Sequence, residues 1–154
     1  MLCLPLDDCL GIAVDLWSEV TVTRADKFEI TAEGEGADEM PKDYSNYMVV
    51  GCKAAFEAAG KPLPTLKYHV VSRIPYARGL GSSSAAIVAG IVAGLVMAGH
   101  RLPCWGSEAL LQIAAGIEVC DPIKKKETNT RCTHGVLLFV LIPVPLFLNS
   151  VGSP

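Results

Sequence analysis

Residues 79–99 contain no charged side chain, and the run is preceded at once by the tight stretch Pro75-Tyr76-Ala77-Arg78. As one helix it would extend about 32 Å, enough to cross a bilayer. Small residues recur at Ala86, Gly90, Gly94 and Ala98, including a Gly90-x-x-x-Gly94 pair of the kind that brings membrane helices together. The segment opens on Gly79-Leu80-Gly81-Ser82-Ser83-Ser84, however, and Ala and Gly dilute its centre. A buried helix whose small stripe admits another backbone is therefore expected, and no membrane partner. The second uncharged run, Val136 to Leu148, is interrupted by Pro143 and Pro145 and is too short to span.

A buried helix needs a core around it. The chain has 154 residues, of which 51% are hydrophobic and 19% charged, enough for one domain and inconsistent with a disordered tail. Net charge is −3, so no basic surplus exists to neutralise a nucleic acid, and none is expected as a partner. Residues 1–60 carry 12 acidic and 4 basic side chains, and residues 61–154 carry 4 acidic and 9 basic. An anionic ligand suits the second half better. Six cysteines (Cys3, Cys9, Cys52, Cys104, Cys120 and Cys132) form no C-x-x-C pair, which points to reduced thiols and a cytoplasmic location. The N-terminus reaches Asp7 and Asp8 too soon for a signal peptide.

Residues 10–24 alternate as a strand through Ile12, Val14, Leu16, Val20 and Val22, and Phe28 with Ile30 suggests its hairpin partner. Residues 33–38 read as an acidic, Gly-rich loop. Ser45 is placed to cap a helix over 45–59 that Gly60 stops, and Leu66, Tyr68 and Val70 alternate as a further strand. Helices at about 83–99 and 107–118 follow. Strands that pair beneath packed helices make the fold class α+β.

The stretch 75–86 carries the chemistry. Gly79 and Gly81 allow a tight turn and a close approach of backbone to ligand. Ser82, Ser83 and Ser84 then lie at the first turn of a helix, where free N–H groups and the positive dipole end favour an anion. Ser hydroxyls there can also donate to phosphate or coordinate Mg²⁺. The plainer alternative is a helix start with serine as an ordinary cap. A Walker A loop is excluded, because no lysine lies between Lys67 and Lys124. The dinucleotide fingerprint is met at Gly79 and Gly81 but has Ser84 in third place, which weakens that reading without removing it.

The same stretch resembles the second motif of the GHMP small-molecule kinases, P-x-x-x-G-L-G-S-S-A-A. Its flanks resemble homoserine kinases, through Cys9-Leu10-Gly11-Ile12-Ala13-Val14-Asp15-Leu16-Trp17 and Ala114-Ala115-Gly116-Ile117-Glu118. The likeness covers residues 8–118. It implies a ribosomal protein S5 domain 2-like N-terminal domain of a GHMP kinase, binding ATP and Mg²⁺ and phosphorylating L-homoserine to O-phospho-L-homoserine on the way to threonine. A mevalonate- or galactose-type kinase, or a nucleotide-binding remnant without turnover, is the alternative. By this resemblance Pro75, Tyr76, Ala77, Arg78, Gly79, Leu80, Gly81, Ser82, Ser83, Ser84 and Ala85 bind the ATP phosphates. Ser83 and Glu118 hold Mg²⁺, and Asp8 holds the substrate amine. No catalytic base is implied, and the full-length family leaves room for a homodimer.

Two departures bear on these expectations. The family's first motif, P-x-S-x-N-L-G-x-G-F-D, survives only in its final acid, Asp8. After Glu118 the family continues G-H-P-D-N-V-A-P, whereas this chain reads Val119-Cys120-Asp121-Pro122-Ile123-Lys124. Residues 119–154 are therefore expected to be an unrelated, irregular tail, with the family's C-terminal ferredoxin-like domain missing and the chain inactive alone. The long helix is apolar nearly all round (Ile87, Val88, Ile91, Val92, Leu95, Val96), and one layer of sheet can cover only one face, so part of its apolar surface is expected to lack cover. His69, His100 and His134 have no companions at metal-ligand spacing, and Trp17 and Trp105 read as packing residues.

Overall fold

Alternation of apolar side chains sets the sheet. The computed structural model describes residues 15–100 and 107–119. Strand β3, Leu66–Ser72, buries every second residue along its whole length, with Leu66, Tyr68, Val70 and Ser72 turned to the core. It is the central strand. Strand β1, Ser18–Arg24, pairs with it antiparallel, and strand β2, Glu29–Gly34, pairs with it in parallel on the other side.

The order β1-β3-β2 corrects the expected hairpin. β1 and β2 run antiparallel but do not pair, because β3 lies between them. The connection 25–28 must therefore cross two strand spacings, about 9.5 Å, which four residues can do. Ala25 fixes that crossing by donating its N–H to the Thr65 carbonyl at 3.1 Å. β3 brings Tyr68 and Val70 between Val20 and Val22 on one side and Ile30 on the other, so three strands share one apolar face. β1 begins only at Ser18, residues 15–17 are not strand, and the expected strand residues 10–14 lie outside the described residues. Glu33 and Gly34, expected in a loop, complete β2.

Helix α1, Tyr47–Ala58, crosses from β2 to β3 and helix α2, Ser82–Met97, follows β3. The cap of α1 is Asn46 and not Ser45: the Asn46 side chain accepts from the Met48 N–H at 3.0 Å and donates to the Pro41 carbonyl at 2.7 Å. Ser45 instead donates its hydroxyl to Asp43 at 2.5 Å. The small stripe of α2 meets α1 backbone to backbone. A Cβ on Gly90 would collide with the Met48 carbonyl, and one on Gly94 would lie 2.8 Å from Ala55 Cβ. The G-x-x-x-G pair thus serves a helix pair within the chain, and no described helix is long and apolar enough to cross a membrane.

α2 has a second cover. Helix α3, Ser107–Val119, packs Ala114 with Leu110, Ile113 and Ile117 against Ile87, Ile91 and Leu95. Those three large α2 residues are buried, while Val88, Val92 and Val96 are half-buried, and none of the six is exposed. The expected bare apolar face is narrower than the periodicity of α2 implies, because α3 folds back over it. The outer face of the sheet is polar, with Lys67–Glu29 at 2.8 Å and Thr31 Oγ1 to His69 Nδ1 at 2.9 Å. The described residues thus form the expected α+β arrangement, a three-stranded sheet with three helices.

Candidate functional site

The loop between β3 and α2 starts from a pinned end. The buried Ser72 hydroxyl accepts from the Ile74 N–H at 3.3 Å, and Arg73 donates its N–H to the Trp17 carbonyl at 2.9 Å. Ile74, 2% exposed, anchors the chain before it leaves the core. Beyond that anchor the backbone turns outward, and Ala77, Arg78 and Gly79 are exposed.

Ala77, Gly79 and Gly81 all lie in the left-handed region, at φ 54, 72 and 78°. Alternating positive and ordinary φ values produce concave backbone whose N–H groups converge, a form suited to anions. Ala77 is the non-glycine residue held there, a conformation that costs an L residue roughly 1–2 kcal/mol. Gly81 is the N-cap of α2, and no side chain caps that terminus. Nor is there an acidic residue in the first turn to offset the positive dipole end. Ser82, Ser83 and Ser84 form this turn, each half-buried. The structure therefore brings Pro75 through Ala85 together as one turn and helix start.

The other expected site residues fall differently. Asp8 lies outside the described residues. Glu118 stands at the C-terminal end of α3, but its side chain is likewise outside them. What is described is that α3 packs on α2, so the helices carrying Ser83 and Glu118 are neighbours. Among the described residues no group of three or more His, Cys, Asp or Glu could hold a metal ion.

A cavity of about 270 Å³ adjoins the loop, lined by Glu35, Gly36, Glu39 and Pro75 to Arg78. Its acidic wall was legible in sequence only as an acidic, Gly-rich loop over 33–38. The parallel register decides the placement: Gly34 stands opposite Ser72, so β2 and β3 leave the sheet at the same end and their following segments run side by side. Glu35 donates its N–H to the Ser72 carbonyl at 2.8 Å, which extends that pairing by one bond.

Comparison with known proteins bears on this loop. Residues 46–125 match the family model of the GHMP kinases N terminal domain. A homoserine kinase of Cutibacterium acnes is 40% identical over 115 residues, covering 72% of this chain and 38% of that protein. One of Desulfitobacterium hafniense is 40% identical over 111 residues (72% and 36%). One of Streptomyces coelicolor is 38% identical over 123 residues (79% and 38%). A solved chain assigned as a homoserine kinase, from Listeria monocytogenes, is 32% identical and aligns with a TM-score of 0.49 over 68% of this chain and 35% of its own. The chain thus spans just over a third of the length of the curated relatives it matches.

Proposed function

The chain belongs to the GHMP kinase family, whose N-terminal domain it carries, and from that premise we propose that it acts in the ATP-dependent phosphorylation of L-homoserine. The observation that carries the reading is the loop at 77–84. It joins three left-handed backbone positions to an uncapped helix N-terminus bearing three serines. That is backbone arranged for the oxygens of a polyphosphate. Identity near 40% to homoserine kinases supports this substrate over mevalonate or galactose.

In the reaction the side-chain hydroxyl oxygen of homoserine forms a bond to the γ-phosphorus, and the bond from that phosphorus to the bridging oxygen breaks, releasing ADP. The hydroxyl proton leaves to solvent or phosphate oxygen, and no side chain is assigned as base. Such transfer depends mainly on positioning and charge neutralisation. The N–H groups of the 79–84 turn hold the phosphates, and the exposed Arg78 adds positive charge beside them. Asp8 orients the substrate amine. A Mg²⁺ bound to ATP supplies further charge neutralisation, and the hard oxygen donors Ser83 and Glu118 would hold it. We place the reaction in the cytoplasm, where ATP is supplied.

The test is ADP release with homoserine, mevalonate and galactose in turn by a full-length version of the chain, alongside binding of a fluorescent ATP analogue by the chain itself. Homoserine-dependent ADP release above the other two is expected. Binding without turnover would favour a nucleotide-binding role. Absence of ATP binding would overturn both.

A further inference from the structure

Ser72 is the common root of two segments. Its carbonyl accepts the Glu35 N–H at 2.8 Å, and its hydroxyl accepts the Ile74 N–H at 3.3 Å. The turn after β2 and the loop after β3 therefore leave the sheet from one anchored residue. The turn is then closed on itself. The Glu39 and Met40 N–H groups both donate to the Gly36 carbonyl, at 3.1 and 2.9 Å, and Met40 packs against the core.

Where the two segments touch, the fit is set by backbone. A Cβ on Gly36 would lie 2.5 Å from Tyr76 Cβ, 2.8 Å from its Cγ and 3.0 Å from its Cδ2. Rotating the tyrosine about χ1 does not move its Cβ, so a methyl group at 36 could enter only by displacing the backbone of residue 76. Ala77 follows directly, at φ 54°. An L residue keeps that conformation only where its surroundings over-determine it. The bare Cα of Gly36 supplies such a constraint, one residue before the left-handed positions 77, 79 and 81 begin.

We propose that Gly36 is a positioning residue for the phosphate turn: it seats Tyr76 and through it sets the backbone of Ala77 to Gly81. The proposal rests on the reading of that turn as a polyphosphate site. Gly36 itself touches no ligand; its contribution is the side chain it lacks.

The experiment measures dissociation constants for ATP and inorganic tripolyphosphate, with thermal melts, on the full chain and on Gly36→Ala, Tyr76→Gly, the double variant and Gly60→Ala. Gly60 stands at φ 67° with nothing within 4 Å of an added Cβ, so Gly60→Ala carries left-handed strain without a collision. It should lower the melt and leave both affinities as they were. Gly36→Ala should weaken both ligands roughly tenfold, below the hundredfold that a displacement of about 1 Å can cost. Tyr76→Gly removes the three atoms that the new methyl group would strike. In that background Gly36→Ala should weaken binding by no more than about twofold, the mark of a coupled pair.

Unchanged tripolyphosphate affinity in Gly36→Ala, or the same tenfold loss in both backgrounds, overturns the proposal and leaves the phosphate reading standing. If Gly36→Ala does not fold, Tyr76→Gly decides: an unseated turn loses tripolyphosphate affinity, and retained affinity overturns the proposal. If the unaltered chain binds neither ATP nor tripolyphosphate, the phosphate reading fails and the proposal with it.

Discussion

The carbonyl of Met48 in α1 occupies the space that a side chain on Gly90 of α2 would need. The obstacle is backbone, which cannot rotate aside, so the two helices must separate to admit a methyl group. Gly90→Ala is expected to destabilise the fold by about 3 kcal/mol, the upper end of overpacking costs. Gly116→Ala in α3 meets nothing within 4 Å and should instead gain up to about 1 kcal/mol from helix propensity. Urea midpoints of the two variants, shifted in opposite directions, check the pair.

Asn46 is 4% exposed and uses both ends of its amide, one on the Met48 N–H and one on the Pro41 carbonyl. Asn46→Ala should cost about 1–3 kcal/mol, from a lost cap and a lost bond to the part-buried Pro41 carbonyl. Asn46→Asp keeps the cap and loses the bond to Pro41, so its urea midpoint should lie between the other two. Equal midpoints for the Ala and Asp variants would contradict this.

Gly79 holds φ 72° in open space, and a methyl group added there would have no neighbour within 4 Å. Gly79→Ala therefore strains the turn by roughly 1–2 kcal/mol without a clash. Because the turn is exposed, the strain should appear mainly as loss of nucleotide affinity, on the order of tenfold. Titration with a fluorescent ATP analogue, beside a thermal melt that changes little, distinguishes a binding turn from a purely structural one.

Burial pushes the Tyr68 hydroxyl above its usual 10.0 and the Cys52 thiol above its usual 9.0. The two groups are polar neighbours in an apolar core: the thiol raises the hydroxyl further, and the hydroxyl partly offsets the rise at the thiol. Their geometry falls short of a full hydrogen bond. Both shifts favour the neutral form in the folded state, so the unfolded chain releases these protons first. The associated stability is complete below pH 9 and is lost as pH rises above 9 for Cys52 and above 10 for Tyr68. Tyr68→Phe removes a hydroxyl with no proper partner. It should leave stability at pH 7 within about 1 kcal/mol and move the alkaline unfolding midpoint upward. A downward shift would show that the hydroxyl is well bonded in the folded state.

The carboxyl of Asp43 is held below its usual 3.8 by the Ser45 hydroxyl and, secondarily, by the Ser45 N–H. A depressed acid stabilises the fold above pH 3.8, and its contribution fades as pH falls through the lowered value. Ser45→Ala should return the Asp43 titration, followed by carboxyl carbon NMR, toward the ordinary value while α1 keeps its Asn46 cap. An unchanged titration would remove the hydroxyl as the cause.

Much of the architecture is legible in local pattern. β3 reads as a strand because a pleated chain turns successive side chains to opposite faces, and Leu66, Tyr68 and Val70 alternate with Lys67 and His69. α2 reads as a buried helix because no charge interrupts it, and its glycines already imply a backbone neighbour. The Gly/Ser turn is legible because glycine at 79 and 81 permits the left-handed conformations found there. These are properties of a residue and its immediate neighbours.

Pairing across the chain is another matter. Proximity in sequence favours a β1–β2 hairpin, yet β3 separates the two strands, since only a central strand with bonds on both edges joins Val20, Val22 and Ile30 into one apolar face. Ser45 and Asn46 are both good caps by residue type, and it is the burial of Asn46 beside Pro41 that selects between them. Glu35 and Glu39 resemble any solvated acids in a glycine-rich loop. They line one cavity with Tyr76 and Arg78, some forty positions later, because the parallel register of β2 on β3 sends both strand ends out of the sheet together. Residue types and their local spacing determine most of the strands, the helices and the Gly/Ser turn by themselves. Which strands adjoin, which cap is buried and which acids face the turn depend on non-local packing, where the free energy of a shared core outweighs closeness along the chain.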